Sequence, residues 1–286
     1  MARTRKSFSE EDKQWICEKW KEGYNAKWIC ENKESLKDRK PQTIYPVLIK
    51  AGLYEKKPAD DRRRHKVNDN YFEIIDTEHK AYWLGFLMAD GYLSKRDNAI
   101  GITLASKDRD MIEKFKEDVE STYPIRDYSY YRQDWGVICE ESKMVMASKK
   151  MYKDLENKGF CLDKTNHCEF PSEDIVPKEL QRHFIRGYFD GDGSLSLVGE
   201  KKYHTYNLSI LGTVEFIEEL KCILGKENVK TYKRHKSRDG NVVDFRLCGD
   251  KQIYNIMSWL YQDCTICMNR KYQRFLVLAK KYENNK

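Results

Sequence analysis

The sequence predicts an α+β fold in which one αββαββα unit occurs twice in tandem behind a small helical domain. Three observations predict it. A thirteen-residue stretch, Tyr82–Ser94, recurs as Phe184–Ser196. Directly after each copy the apolar spacing changes from the helical period to the alternation of a strand. The surplus positive charge is confined to the first quarter of the chain: residues 1–66 hold 18 Lys and Arg against 11 Asp and Glu, a surplus equal to the whole chain's +7, while residues 67–286 balance at 35 of each.

At the N-terminus, Ser9 precedes Glu10, Glu11 and Asp12, an N-cap followed by an acidic first turn, and Trp15, Ile16 and Trp20 supply an apolar stripe ending near Gly23. Asn25 starts a second helix through Trp28 and Ile29. Pro41–Ala51, with Ile44, Val47 and Leu48 apolar and Gly52 as its stop, reads as a third. Three short helices this close resemble a helix-turn-helix module. Pro46 is out of place in the segment that would be the recognition helix, where proline costs about 3 kcal/mol unless the helix begins there. Residues 1–54 are read as a basic module suited to phosphate contact. Residues 55–70, densely charged, with Pro58 and no apolar period, read as a linker.

Residues 71–170 form the first unit and 171–286 the second. The first runs from a helix ending at Asp90 to a strand pair containing Gly101–Leu104, then a helix through Met111, Ile112 and Phe115, a strand pair opened by Tyr128–Tyr131, and a helix from about Lys149. The second repeats this order with a helix ending at Asp192, then Asn207–Ile210, then a helix through Phe216, Ile217 and Leu220, then Thr231–His235, then a helix from about Asp250. The copies close on Lys164 and Lys271. Their offset is 102 residues at the aspartates, 106 at the strands and 107 at the lysines, so the second copy carries about five extra residues. Duplication implies a pseudo-twofold axis, which suits a roughly palindromic partner such as duplex DNA.

Composition narrows the setting. With 40% apolar and 13% aromatic residues the chain can bury a sizeable core, and no run approaches the roughly 18 apolar residues of a membrane span. The basic N-terminus leads into an acidic helix rather than a secretory apolar stretch. Nine cysteines, an odd and scattered set, suit a reducing, cytoplasmic setting. Cys264-Thr265-Ile266-Cys267 has zinc-like spacing but would need two more ligands.

Within each copy of the repeated stretch two small residues lie four apart, Gly85 with Ala89 and Gly187 with Gly191. One face of each helix can therefore pack backbone to backbone against the other. Gly91 and Gly193 stand where a helix takes a left-handed residue and stops, which makes Asp90 and Asp192 the last helical residues. A carboxylate is unfavourable there because the helix C-terminus already carries about half a negative charge. Two such carboxylates side by side repel, and a divalent cation on oxygen ligands relieves both problems. A single Asp-Gly is ordinarily a turn; the same broken rule at equivalent places in two copies marks a functional site. A calcium-loop reading of Asp190–Ser194 fails, since Leu195 stands where that loop needs glycine and Lys201 where it needs glutamate.

These paired segments resemble the twin signature of single-chain LAGLIDADG homing endonucleases, and the resemblance covers residues 71–286. It implies two pseudo-twofold repeats whose antiparallel sheets form a saddle over DNA, with the motif helices at the interface. It also implies catalytic acids at Asp90 and Asp192, with the backbone carbonyls of Ala89 and Gly191 beside them in the metal site, and Mg²⁺ (or Mn²⁺) as the cation. Asp190 is a further candidate acid, and its partner position holds Met88. The closing basic positions fall on Lys164 and Lys271, with Arg270 an adjacent alternative.

The activity implied is site-specific cleavage of both strands of a long, pseudo-palindromic duplex, leaving short 3′ overhangs, by a monomer, in intron homing. Residues placed to meet DNA are Ser94, Lys95, Arg96, Asn98, Thr103, Tyr128, Tyr130 and Arg132 in the first copy. In the second they are Ser194, Ser196, Tyr203, His204, Asn207, Ser209, Lys233, Arg234, Lys236 and Arg238. Two other readings stand beside this one, an intron RNA maturase and a non-catalytic, DNA-binding transcription regulator. The presence of both acids favours the nuclease.

Overall fold

The computed structural model describes residues 7–55, 63–160, 162, 167–199, 205–233 and 241–283. They form two compact units that divide between Arg64 and His65.

The N-terminal unit contains α1 (Glu10–Lys21), α2 (Ala26–Glu31) and α3 (Tyr45–Lys50) around Ile16, Ile29, Leu36, Ile44 and Leu48, all fully buried. Ser9 and Asp12 make a reciprocal capping box, and Asp12 also accepts a 2.6 Å hydrogen bond from Ser35 Oγ. The expected third helix is shorter than the pattern suggests: Pro41–Thr43 is a single 3₁₀ turn and α3 starts at Tyr45. Pro46 thus lies in the first turn, where its missing N–H has no helical partner to lose. Between α2 and α3 run thirteen residues with two 3₁₀ turns, where a helix-turn-helix has a three- or four-residue turn.

The larger unit consists of two copies of αββαββα. The first is α4 (Glu78–Asp90), β1 (Gly91–Ser94), β2 (Ala99–Ala105), α5 (Arg109–Asp118), β3 (Arg126–Arg132), β4 (Val137–Ala147) and α6 (Lys149–Asn157). The second is α7 (Lys178–Asp192), β5 (Gly193–Val198), β6 (Thr205–Thr213), α8 (Val214–Ile223), β7 (Thr231–Lys233), β8 (Val242–Cys248) and α9 (Asp250–Tyr261), followed by α10 (Asn269–Glu283). Each copy folds its strands into one antiparallel sheet of the same order, β1-β2-β4-β3 and β5-β6-β8-β7. Lys66 and Asn68, inside the expected linker, are already tied to Thr122 and Val119 of this unit.

Alternation separates the two faces of each sheet. In β2, Ile100, Ile102 and Leu104 turn to the helices and are buried, with Met144 and Met146 of β4 beside them in register. In β6, Tyr206, Leu208 and Ile210 do the same against Leu247 and Phe245. One apolar core runs through both copies, and the motif helices α4 and α7 lie at its centre.

Those two helices meet backbone to backbone. A Cβ on Gly187 would stand 2.8 Å from the carbonyl carbon of Tyr82 and closer still to its oxygen; one on Gly85 would stand 2.9 Å from the amide nitrogen of Tyr188 and closer to Phe184 O. The contacts are related by the 102-residue offset, so the pseudo-twofold axis passes between these glycines. One turn further on, a Cβ on Gly191 would collide with that of Ala89. The alanine is accommodated because its partner is glycine.

Candidate active site

Asp90 and Asp192 are the last residues of α4 and α7. Glycine follows each, but not in the left-handed conformation that the sequence suggested: Gly91 has φ −78° and ψ 171°, Gly193 φ −79° and ψ 159°. Both are extended, because the helix runs straight into β1 or β5. Space is what demands glycine here, since a Cβ on Gly91 would press on Leu87 at 2.7–2.9 Å and one on Gly193 on Phe189 O at 2.5 Å.

The two helix ends converge at the axis. The Asp90 carboxyl carbon lies 3.5 Å from where a Gly191 Cβ would stand, one residue from Asp192. Asp90 is half-buried and Asp192 exposed. Lys271, on α10, is buried beside them and donates to Phe189 O at 2.7 Å and Gly191 O at 2.9 Å. Two of its three N–H donors are thus spent on the carbonyl end of α7, where a cation is favoured. Burial pushes its ammonium down to about 8, against the pull of Asp190, Asp90 and Asp192. Arg270 is turned away into a two-pronged ion pair with Asp108 at 3.0 and 2.9 Å. Lys164 lies outside the described residues.

Asp190 does not join the acids at the surface. It is fully buried and accepts hydrogen bonds from Tyr82 Oη and Tyr261 Oη, each 2.8 Å, and from the amide of Met268 at 2.7 Å. Burial raises its pKa while Lys271 lowers it. Its oxygens are thus occupied by donors inside the protein.

Among the described residues no three His, Cys, Asp or Glu side chains converge as a metal cage. The two further ligands that a zinc site at Cys264 and Cys267 would need are not assembled among them. At the axis stand the carboxylates of Asp90 and Asp192. Such hard oxygen donors suit a divalent cation that completes its shell with water and phosphate. Gly191 O, expected among the ligands, already accepts from Lys271.

The polar faces of the sheets collect many of the other expected residues. Ser94 lies opposite Ala99, and Thr103 opposite Lys143; Ser194 pairs with Ser209, and Ser196 with Asn207. Tyr128 and Tyr130 lie on the same face as Thr103, through Glu141 and Cys139 of β4. Asn98, with φ +47°, makes the β1–β2 turn beside exposed Lys95 and Arg96. Arg132 stacks its guanidinium 4.0 Å above the Trp135 ring at the β3–β4 tip.

Lys233 differs. It pairs with buried Val243 and so belongs to the helix-side face, while its neighbour Tyr232 takes the polar face. A one-residue change of register exchanges faces, and the run Lys233 to Arg238 has no apolar alternation to fix it. Tyr203, His204, Arg234, Lys236 and Arg238 lie outside the described residues. Sequence reasoning missed Tyr92, Arg126, Lys143 and Arg246, which share these faces; the signal for Arg246 was its place between apolar Phe245 and Leu247.

A family model described as a LAGLIDADG-like domain matches residues 77–123 and 179–276. The chain belongs to this family. Membership places it among DNA endonucleases. LAGLIDADG nucleases depend on divalent metal. No curated protein matches the sequence.

Among solved structures, LAGLIDADG meganuclease I-CpaMI bound to uncleaved DNA is 12% identical, with 74% of this chain and 93% of that one covered at a TM-score of 0.48. I-SmaMI bound to uncleaved DNA target in the presence of calcium ions is also 12% identical, with 74% and 93% covered at 0.47. LAGLIDADG homing endonuclease I-GzeII in complex with its DNA target is 14% identical, with 70% and 88% covered at 0.45.

Proposed function

We propose that this protein is a site-specific homing endonuclease that cuts both strands of a long, pseudo-palindromic DNA duplex as a monomer, with Mg²⁺ or Mn²⁺, and leaves short 3′ overhangs. The observation that carries this reading is the convergence of Asp90 and Asp192 at the abutting ends of two helices whose glycines let the backbones touch. The two carboxylates stand at adjacent helix ends, each of which leads into a sheet whose polar face carries Ser, Thr, Asn, Tyr and Arg side chains.

A divalent ion on these oxygens would supply Lewis acidity and an activated water for phosphodiester hydrolysis. The protein's own part is positional. Asp90 and Asp192 hold negative charge where phosphates of the two strands approach the axis. Lys271, clamped on Phe189 O and Gly191 O, keeps a positive group beside them to orient water and offset charge on phosphate. The sheet faces fix the register of the duplex. The basic N-terminal module adds phosphate contacts, which is an electrostatic and sequence-independent contribution.

The test is cleavage of a randomised duplex library by purified protein with Mg²⁺, followed by sequencing of the cut ends. Asp192→Asn should abolish double-strand cutting of the recovered target and leave its binding within about threefold, since an uncharged isostere keeps the shape of the site. Cutting unchanged by this substitution would refute the assignment. Tight duplex binding with no cleavage by the unaltered protein would favour the transcription-regulator reading.

A further inference from the structure

The loop that precedes Lys271, residues 262–268, is held by charged side chains of the two motif helices. Arg186 of α7 is fully buried. It donates from Nε to Ile266 O at 3.0 Å, from Nη1 to Leu260 O at 2.8 Å, and from Nη2 to Glu78 Oε1 at 2.7 Å. The same Glu78 oxygen, at the start of α4, accepts from the amide of Thr265 at 2.8 Å. Asp190 then takes the amide of Met268, three residues before Lys271. One clamp therefore spans both motif helices and fixes the loop at its middle and at its end.

The duplication supplies an internal control. By the 102-residue offset, Leu84 stands in the first copy where Arg186 stands in the second, and Met88 where Asp190 stands; both are apolar and buried. The same helix, in the same fold, packs there without a charge. Burying charges is costly unless they are paired, and well-packed apolar residues often replace them without loss of stability. The fold alone does not call for Arg186 and Asp190.

We propose that Arg186 and Asp190 are positioning residues that seat Lys271 beside Asp192, so that the two DNA strands are cut at differently built centres. This rests on the endonuclease reading. It goes beyond it in assigning the clamp to one strand.

The experiment uses the full chain and a duplex recovered by wild-type cleavage of a randomised library, its two strands carrying different 5′ dyes, under single turnover. Asp190→Asn should slow one strand about tenfold or more, the usual scale for a residue that orients a reacting group. The other strand should be cut within twofold of the wild-type rate, nicked duplex should accumulate, and Kd should be unchanged. Tyr261→Phe removes only the hydroxyl donated to Asp190; it keeps the fold testable and should slow the same strand several-fold, as should Lys271→Met. General destabilisation would slow both strands alike. Equal slowing of both strands, or of neither, in a variant whose melting temperature lies well above the assay temperature overturns the proposal. Failure of the wild-type protein to cut any duplex overturns the endonuclease reading itself.

Discussion

Gly187→Ala tests whether the fold rests on backbone contact between the motif helices, because two effects of the change have opposite signs. Alanine is the better helix former by about 1 kcal/mol, so helix propensity alone predicts stabilisation. In the structure the new Cβ would lie 2.8 Å from the Tyr82 carbonyl carbon and 3.0 Å from the Phe86 amide nitrogen, both backbone atoms within a helix. Relieving the carbon contact alone, to an ordinary separation of about 3.5 Å, requires α4 and α7 to part by roughly 0.7 Å, and the closer contact with Tyr82 O requires more. A gap of that size forfeits a quarter to a half of the dispersion energy of each contact along the pair. Overpacking of this kind costs typically 1–3 kcal/mol and more where backbone must move.

The net expectation is destabilisation of about 2 kcal/mol or more, a fall in Tm of roughly 4–8 °C for a unit of this size. Cutting should be lost together with stability, because the separation also parts Asp90 from Asp192. The assay is thermal unfolding by near-ultraviolet circular dichroism, paired with cleavage of a selected duplex. Gly85→Ala should behave alike, and the double variant should cost less than the sum of the two, since both substitutions open the same contact. A Tm equal to or above that of the parent would refute the packing argument.

Three further outcomes are expected. His183 is buried beside Arg186, and burial first, then that guanidinium, pushes its imidazole down to about 4. The unfolded chain therefore binds the extra proton between about pH 6.5 and 4: stability from this residue is full above pH 6.5 and falls as pH drops through that window, by roughly 2 kcal/mol after allowance for screening. Urea unfolding across pH 4–7 should show this slope, and it should flatten in His183→Gln. Chelation with EDTA should stop cleavage and leave binding, with Mg²⁺ or Mn²⁺ restoring it in a gel assay; cutting that persists in EDTA would exclude a metal at the axis. Removal of residues 1–60 should weaken duplex binding and reduce the slope of log K against log salt, read by fluorescence anisotropy; an unchanged slope would dismiss the N-terminal module as a phosphate clamp.

Much of the architecture was legible because it is written locally and twice. Small residues four apart, the Asp-Gly ends and the shift from helical to alternating apolar spacing appear at matching offsets, and each reflects a local rule: helix period, strand period, the space needed where two backbones meet. Those signals located α4, α7, the strand pairs and the two acids. The same local reading misjudged Gly91 and Gly193, since an extended glycine forced by a neighbouring side chain has the same sequence as a left-handed one. It also lengthened the third N-terminal helix, where Pro46 opens α3 rather than interrupting it.

What the chain alone determined, then, is the duplicated unit and the place of Asp90 and Asp192 at the ends of its two motif helices. The tertiary structure decided which groups meet that pair. Lys271 and Arg270 are adjacent and equally basic, and nothing local separates them; packing sends one to the carbonyls of Phe189 and Gly191 and the other to Asp108. Asp190 and Asp192 are two residues apart on one helix, so rotation alone buries the first among Tyr82, Tyr261 and Met268 and leaves the second at the surface. A side chain's partners lie 71 to 162 residues away in these contacts, and such distances are set by how the two copies close on each other, which no window of sequence records.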